Sequence, residues 1–213
     1  MINKDYNPPT TSSPTKVGVP ELENLMKIKG EVKGVVFQTD ADYILKKEGE
    51  QGLKKLEKRI KELGYPIDYR KGKALDLHPI GLRVISLLLI KDTFDWSDEE
   101  IRNMGYTAPT TSFIVKLLMK FFVSFMKFMS VVPGYWEKHY TAGNLEAINL
   151  NDKTKDATLH LKDIKIHPLF CLYLEGYFER MYQFVVGKEG GCRETECMFK
   201  GDPYHEYVLK LKK

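Results

Sequence analysis

The sequence predicts an α+β fold, with helices packed on one face of a small antiparallel sheet. Three observations predict it. Hydrophobic residues recur at helical spacing through much of residues 21–132, whereas residues 145–166 show the shorter alternation that is typical of strands. A second strand-turn-strand pattern follows the last helix. The order of helices, hairpin, helix and hairpin favours helices segregated to one side of an antiparallel sheet.

The N-terminal half is predicted to be helical. Residues 21–29 form a short amphipathic stretch, and the expected helices cover residues 32–45, 51–63, 80–90 and 97–105, with a strand as the alternative for residues 32–45. Gly64 has the position of a C-terminal cap glycine for the helix over residues 51–63. Ser97 and Glu100 form a capping box that begins the last, and Gly105 is expected to end it.

Residues 111–132 are the most apolar stretch and predict one central core helix. The length would suit a membrane span, but Lys116, Lys120 and Lys127 lie along its middle, and charges inside a bilayer are costly. The lysines fall in a narrow stripe at 3.6 residues per turn, which indicates one solvated edge on a buried helix.

The C-terminal half alternates strands and a helix. Residues 147–150 and 157–161 predict one hairpin, and Pro168 begins a helix that runs to about residue 186. Residues 192–212 predict two further strands joined by the turn at Gly201, Asp202 and Pro203.

Length and composition set the domain organisation. The chain has 213 residues, of which 43% are hydrophobic, which suffices for one domain with a full core. Residues 1–20 are rich in proline, serine and threonine and predict a flexible N-terminal arm, so that residues 21–213 form the single domain.

The charge balance excludes a dedicated nucleic-acid binder. The 33 basic and 29 acidic residues are interspersed and leave a net charge of only +4. Of the basic residues 27 are lysine, and this enrichment together with glutamate is typical of thermophile proteins. No signal peptide is visible, which predicts a cytoplasmic protein. The three cysteines are an odd number and argue against a disulfide scaffold.

The last 47 residues carry the chemical signal. Glu194 precedes Cys197 by three positions, and the turn at Gly201 can return His205 close to Cys197. Cys171 lies on the preceding helix and could reach the same point. Thiolate, imidazole and carboxylate are the ligands that Zn²⁺ takes in tetrahedral geometry. The alternative is that the cysteines are simply buried, because cysteine is among the most buried residue types.

The same segment resembles the closing motif of the 4-vinyl reductase domain family, and the character of the chain is similar to that of archaeal stand-alone members. The family pattern is Glu-x-x-Cys, three residues, Gly-Asp, two residues, Cys, one residue and an aromatic. The chain matches it at Glu194, Cys197, Gly201, Asp202 and Tyr207. It departs at His205, where the family usually has cysteine, and Cys171 corresponds to an earlier family cysteine.

The resemblance implies a fold similar to NO-signalling and Golgi-transport (TRAPP-type) ligand-binding domains and to phenol- and toluene-sensing modules. It implies a structural Zn²⁺ held by Cys171, Glu194, Cys197 and His205. Whether Cys192 replaces Glu194 as a ligand stays open. The resemblance further implies that a small hydrophobic or aromatic molecule binds in a pocket beneath the sheet.

An aromatic cluster supplies candidate pocket residues. Polar-tipped aromatic side chains at residues 135–140, including His139, directly follow the apolar stretch, and a few polar groups in an apolar cavity are typical of small-molecule sites. The expected lining residues are Phe121, Phe122, Phe125, Tyr135, Trp136 and Tyr140. Ordinary core packing is the alternative for each of them.

Three functional hypotheses follow. The first is a zinc-containing, hydrocarbon-binding sensor without catalysis, forming a homodimer. The second is an enzyme that reduces a vinyl group or acts on a tetrapyrrole; no redox-cofactor motif supports it, and a binding module is therefore favoured over an enzyme. The third is a dimeric protein-interaction scaffold. Nucleic-acid partners and a transmembrane segment are not expected.

Overall fold

A computed structural model describes residues 18–111 and 124–212. The helices are α1 (Val19–Met26), α2 (Val35–Glu62), α3 (Ile80–Phe94), α4 (Asp98–Thr111), α5 (Phe125–Glu137) and α6 (Pro168–Val186). The strands are β1 (Glu31–Lys33), β2 (Leu77–Pro79), β3 (Asn144–Asn151), β4 (Asp156–Lys162), β5 (Gly190–Glu196) and β6 (His205–Leu211). The predicted α+β class is confirmed. Of the predicted arm, residues 1–17 lie outside the described residues.

The main sheet has four antiparallel strands in the order β3-β4-β6-β5, and β1 and β2 pair as a separate two-stranded ribbon. Apolar side chains of the main sheet, among them Leu145, Leu159 and Leu209, are buried on the face toward α6. The sequence does not predict the ribbon, because strands of three residues are too short to show a period-two pattern.

Two glycines set the packing of α4 against α6. A Cβ at Gly105 would lie 2.0 Å from the Tyr173 carbonyl oxygen, and one at Gly176 would lie 2.0 Å from the Arg102 carbonyl oxygen. Both are shorter than any tolerated contact, so only glycine allows this approach. The prediction that Gly105 ends a helix is therefore wrong: α4 continues to Thr111, and the glycine serves a helix crossing.

The long helices are interrupted at particular residues. Within α2, Gly49 has φ +69°, which separates the two helices expected over residues 32–45 and 51–63. The single helix expected over residues 111–132 is also interrupted, because Ser124 is extended and caps α5 by accepting a hydrogen bond from the Lys127 amide. Residues 112–123 lie outside the described residues. In the described ranges, no helix combines the length and hydropathy needed to cross a membrane.

Candidate functional site

Four side chains converge where the β5–β6 hairpin meets α6. One ligand atom from each of Cys171, Glu194, Cys197 and His205 lies within 4.8 Å of the others. Both cysteines and the histidine are buried, and the glutamate is half-buried. The four residues come from the first turn of α6, from β5, from the connection after β5 and from the first position of β6. The structure thus brings together all four residues of the predicted metal site.

The turn between β5 and β6 positions two of these residues. The Asp202 carboxylate accepts a hydrogen bond of 2.7 Å from the Cys197 amide, and the Lys200 amide donates to the Cys197 carbonyl at 2.8 Å. Gly201 closes the turn with φ +101°, a conformation that favours glycine. His205 then pairs with Leu161 of β4, which fixes the start of β6 beside α6.

The orientation of the His205 ring is fixed by a hydrogen bond on the side away from the cluster. Its Nε2 lies 3.1 Å from the Ile164 carbonyl oxygen, which can only accept, so Nε2 carries the hydrogen of this bond. Nδ1 then faces the cluster, 3.6 Å from Cys171 Sγ and 3.1 Å from a Glu194 carboxylate oxygen. A backbone carbonyl bound to the far nitrogen is the usual support for a metal-ligating histidine.

Burial favours the neutral form of the two thiols in the cluster. Burial raises the pKa of the Cys171 thiol well above its usual range, and the nearby Glu194 carboxylate raises it further. Burial also raises the pKa of Cys197. Without a cation the thiols therefore stay protonated, and a metal ion would have to displace their protons. Cys192 is half-buried on β5 and is not part of the cluster, which contains Glu194.

A second site is an internal cavity of about 60 Å³ between the start of α2, the helices α5 and α6, and the sheet. Its walls are mostly apolar. The described lining includes Val35, Thr39, Phe128, Val132, Tyr135, Trp136, His139, Tyr140, Leu145, Leu159, Tyr173, Tyr177, Phe178 and Met181. Tyr135, Trp136 and Tyr140 of the predicted pocket lie here. Phe125 does not; its ring packs against Tyr182 at 6.3 Å. Phe121 and Phe122 lie outside the described residues.

His139 is the cavity residue with the most chemical capacity. Its Nδ1 lies 3.1 Å from the Tyr135 carbonyl oxygen one helical turn earlier, which leaves Nε2 as the nitrogen available to a ligand. Burial lowers the pKa of His139 below its ordinary value, with Lys33 and Lys138 adding to the effect, so the ring is neutral near pH 7. Sequence reasoning placed His139 in the aromatic cluster but gave it no role, because the bond to Tyr135 depends on the end of α5.

Tyrosine hydroxyls form the other polar groups of the cavity wall. The Tyr177 hydroxyl donates to that of Tyr135 at 2.8 Å, which joins α6 to α5 across the cavity. Burial raises the pKa of Tyr177 well above its usual value, so this hydroxyl stays protonated. The cavity thus has a neutral wall with few, fixed hydrogen-bonding groups.

Comparison with known proteins gives a likeness of fold. No protein-family model and no curated protein sequence matches the chain. Among solved structures, an H-NOX (heme nitric oxide/oxygen binding) protein from S. oneidensis in the Fe(II)NO state matches 85% of this chain and 99% of its own, with a TM-score of 0.62 and 14% identity. An unliganded Fe(II) H-NOX mutant from K. algicida matches 85% of this chain and 97% of its own, with a TM-score of 0.60 and 11% identity. A study of heme distortion in the H-NOX family provides a third match, with a TM-score of 0.57, 17% identity, and 85% and 95% coverage.

These findings correct several expectations. The assignment to the 4-vinyl reductase domain family is wrong: no family model matches, and the similar structures are H-NOX proteins. The expectations of hydrocarbon binding, vinyl reduction and a protein-interaction scaffold are therefore wrong as well. The motif from Glu194 to Tyr207 lies in a hairpin that carries possible metal ligands, and such a hairpin does not specify what the cavity binds.

The expectation of structural Zn²⁺ is also wrong as stated. The similar structures are described with heme and Fe(II), and the cluster of Cys171, Glu194, Cys197 and His205 identifies a donor set and not an ion. At 11–17% identity the comparison establishes the H-NOX-like fold of this chain and nothing finer.

Proposed function

We propose that the protein is a sensory module that would bind a diatomic gas through haem, which His139 would hold through its Nε2 atom. The observation that carries this proposal is the His139 ring itself, buried in an apolar wall with Nδ1 directed at a backbone carbonyl. The H-NOX-like fold supports it, because the similar proteins are described with haem and with NO at the iron.

The chemistry of the cavity suits the group. A proximal haem histidine must be neutral and held at its second nitrogen, and His139 meets both conditions. When bound, haem supplies the iron at which a gas molecule is held. The protein's own residues orient the axial nitrogen, exclude water with aliphatic and aromatic walls, and offer tyrosine hydroxyls as hydrogen-bond donors.

The volume of the cavity limits which molecules can bind in it. A volume of about 60 Å³ has room for roughly five water-sized molecules, so a diatomic gas fits the walls as they stand. A porphyrin is far larger, and haem would fit only if the walls moved apart. The sequence predicts a small apolar ligand, and we propose that this ligand is a diatomic gas.

Haem reconstitution tests this proposal. The full chain is mixed with haem, and the Soret band is followed before and after reduction and NO addition. We expect a Soret band that shifts with NO, and at least a tenfold weaker haem affinity in His139→Ala. The matched control is His160→Ala, because His160 lies on β4, bonds to Glu206 and does not line the cavity. Absence of a Soret band, or equal loss in both variants, would overturn the proposal.

We also propose that Cys171, Glu194, Cys197 and His205 bind a divalent transition-metal ion. The ion would join the start of α6 to the β5–β6 hairpin, so its binding free energy would add to the stability of the fold. The convergence of four ligand atoms with a pre-oriented imidazole supports this site.

Cobalt titration tests the metal site. Co²⁺ bound by thiolates in tetrahedral geometry absorbs strongly in the near-ultraviolet and visible ranges. We expect one equivalent to bind the chain, and Cys197→Ser to lose most of the signal. Cys192→Ser is the matched control, since that thiol lies on the same hairpin outside the cluster. A titration that is silent, or one that depends on Cys192 instead, would refute the assignment.

The wider organisation of the chain is proposed from the sequence. We propose an arm over residues 1–20, a single ligand-binding domain over residues 21–213, a homodimer and a cytoplasmic location. Support comes from the free thiols of all three cysteines, which suit a reducing compartment, and from the prevalence of two-fold dimers. Light scattering on the purified chain measures the oligomeric state.

A further inference from the structure

A buried arginine stands beside the cavity. Arg83 of α3 is fully buried, and its Nη1 donates to the Asp40 carboxylate of α2 at 2.5 Å. The Ser86 hydroxyl donates to the same Asp40 oxygen at 2.8 Å, and the Tyr69 hydroxyl bonds Ser86 at 2.8 Å. One oxygen of Asp40 therefore collects the hydrogen bonds of this cluster.

The other donors of Arg83 lie near the Tyr140 and Tyr173 hydroxyls, but two of its nitrogens form no hydrogen bond of normal geometry. Nε and Nη2 are buried without a hydrogen bond, as is the second oxygen of Asp40. These two nitrogens form one edge of the guanidinium plane, and such an edge binds a carboxylate through two parallel hydrogen bonds. Leaving buried donors unpaired destabilises a fold, so a bound anion that pairs them would be favoured.

The Arg83 side chain lies behind two tyrosines that line the cavity. Its guanidinium carbon is 4.3 Å from the ring centre of Tyr173, and the charge of Arg83 also acts on Tyr140. Both tyrosines line the cavity, as does Thr39, the neighbour of Asp40 in the chain. Arg83 itself does not line the cavity, so a ligand would have to pass between Tyr140 and Tyr173 to reach it.

We propose that Arg83 forms an anion subsite at the inner end of the cavity, and that this subsite binds a small organic carboxylate with an apolar body. The carboxylate pairs with the Nε–Nη2 edge, and the apolar body lies among the aliphatic and aromatic walls. The cavity volume of about 60 Å³ limits the ligand to a short chain. This inference goes beyond the proposed gas sensing and does not depend on haem.

Butyrate is a suitable probe, and 1-butanol is its neutral match. The full chain, without added haem, is titrated with each while the thermal unfolding midpoint is followed. Butyrate is expected to raise the midpoint saturably, and 1-butanol and sodium chloride are not. Arg83→Lys keeps a positive charge for Asp40 but lacks the two-nitrogen edge, and it is expected to bind butyrate at least tenfold more weakly.

A second measurement covers the case in which Arg83→Lys does not fold. The side-chain Nε–H resonances of the six arginines are recorded in the unmodified chain by ¹⁵N NMR. Butyrate should shift the Arg83 resonance saturably, while that of the exposed Arg70 stays in place. An unmoved Arg83 resonance, an equal effect of 1-butanol or sodium chloride, or unchanged binding in a folded Arg83→Lys would overturn the proposal. Because haem is absent, these outcomes are independent of the Soret experiment.

Discussion

The two buried sites that share α6 are built in different ways. The metal-ligand cluster takes three of its four residues from one hairpin, within the twelve positions from Glu194 to His205. The cavity draws its walls from α2, α5, α6 and the sheet, which are far apart in the chain. The cluster is therefore fixed mainly by a local turn, and the cavity by the packing of the whole domain. Substitutions are therefore expected to affect the two sites to different extents.

The largest effect is expected on the cavity side. Asp40→Ala leaves the fully buried Arg83 without its carboxylate, and breaking a buried ion pair costs about 3–5 kcal/mol. The free energy of unfolding, measured by urea denaturation, should fall by that amount. Exposed ion pairs contribute little, so Glu50→Ala, which removes a half-exposed partner of Arg70, should change it by less than about 1 kcal/mol. Equal losses of unfolding free energy in the two variants would show that the buried Arg83–Asp40 pair stabilises the fold no more than an exposed pair does.

An intermediate effect is expected where both sites depend on the same helix. Gly176→Ala places a methyl group against the Arg102 carbonyl, and such overpacking costs about 1–3 kcal/mol. Because α6 carries Cys171 and also Tyr173, cobalt binding and haem binding should weaken together. Gly134→Ala is the control, since a Cβ there meets no atom within 4 Å. A loss at one site alone would show that α6 does not couple them.

A smaller, local effect is expected at the hairpin turn. Asp202→Ala removes the carboxylate that holds the Cys197 amide, a bond worth about 1 kcal/mol. Cobalt affinity should fall several-fold while haem binding stays unchanged, which a pair of absorbance titrations measures. Weakened haem binding in this variant would break the proposed separation of the two sites.

The smallest effect concerns pH. Burial alone would raise the pKa of Glu179, but hydrogen bonds from Lys212 and Arg102 outweigh it and lower the pKa. A carboxyl whose folded pKa is depressed contributes stability above its unfolded pKa of about 4.3, and that contribution is lost as pH falls through the folded value. Unfolding free energies should therefore decline less steeply below pH 4.3 in Glu179→Gln than in the unmodified chain. Equal slopes would show that this network contributes nothing to acid sensitivity.

The sequence predicts the two sites to different extents. Three cluster residues lie at short spacing around one turn, so the sequence could place them together, although the choice between Glu194 and Cys192 stayed open. Cys171 lies on another helix, and spacing alone showed only that it could reach the same point. The cavity was predictable only in part: Tyr135, Trp136 and Tyr140 line it, whereas Phe125 packs elsewhere. Helical spacing shows which residues are apolar but not which neighbour they face. The family resemblance failed for a related reason, since a hairpin motif carries no information about a cavity formed by other elements.

The sequence by itself determined the α+β class, most helix positions and the proximity of Cys197 and His205 around one turn. Periodicity, capping residues and turn glycines act over a few positions, and a single sequence displays them. Tertiary structure decided the roles of Gly105, His139 and Arg83. Each role depends on a partner that lies in another element or is set by the end of a helix: a carbonyl of α6, the Tyr135 carbonyl, and Asp40 of α2. Packing between elements brings Gly105 and Arg83 to their partners, and the end of α5 sets the contact of His139 with Tyr135.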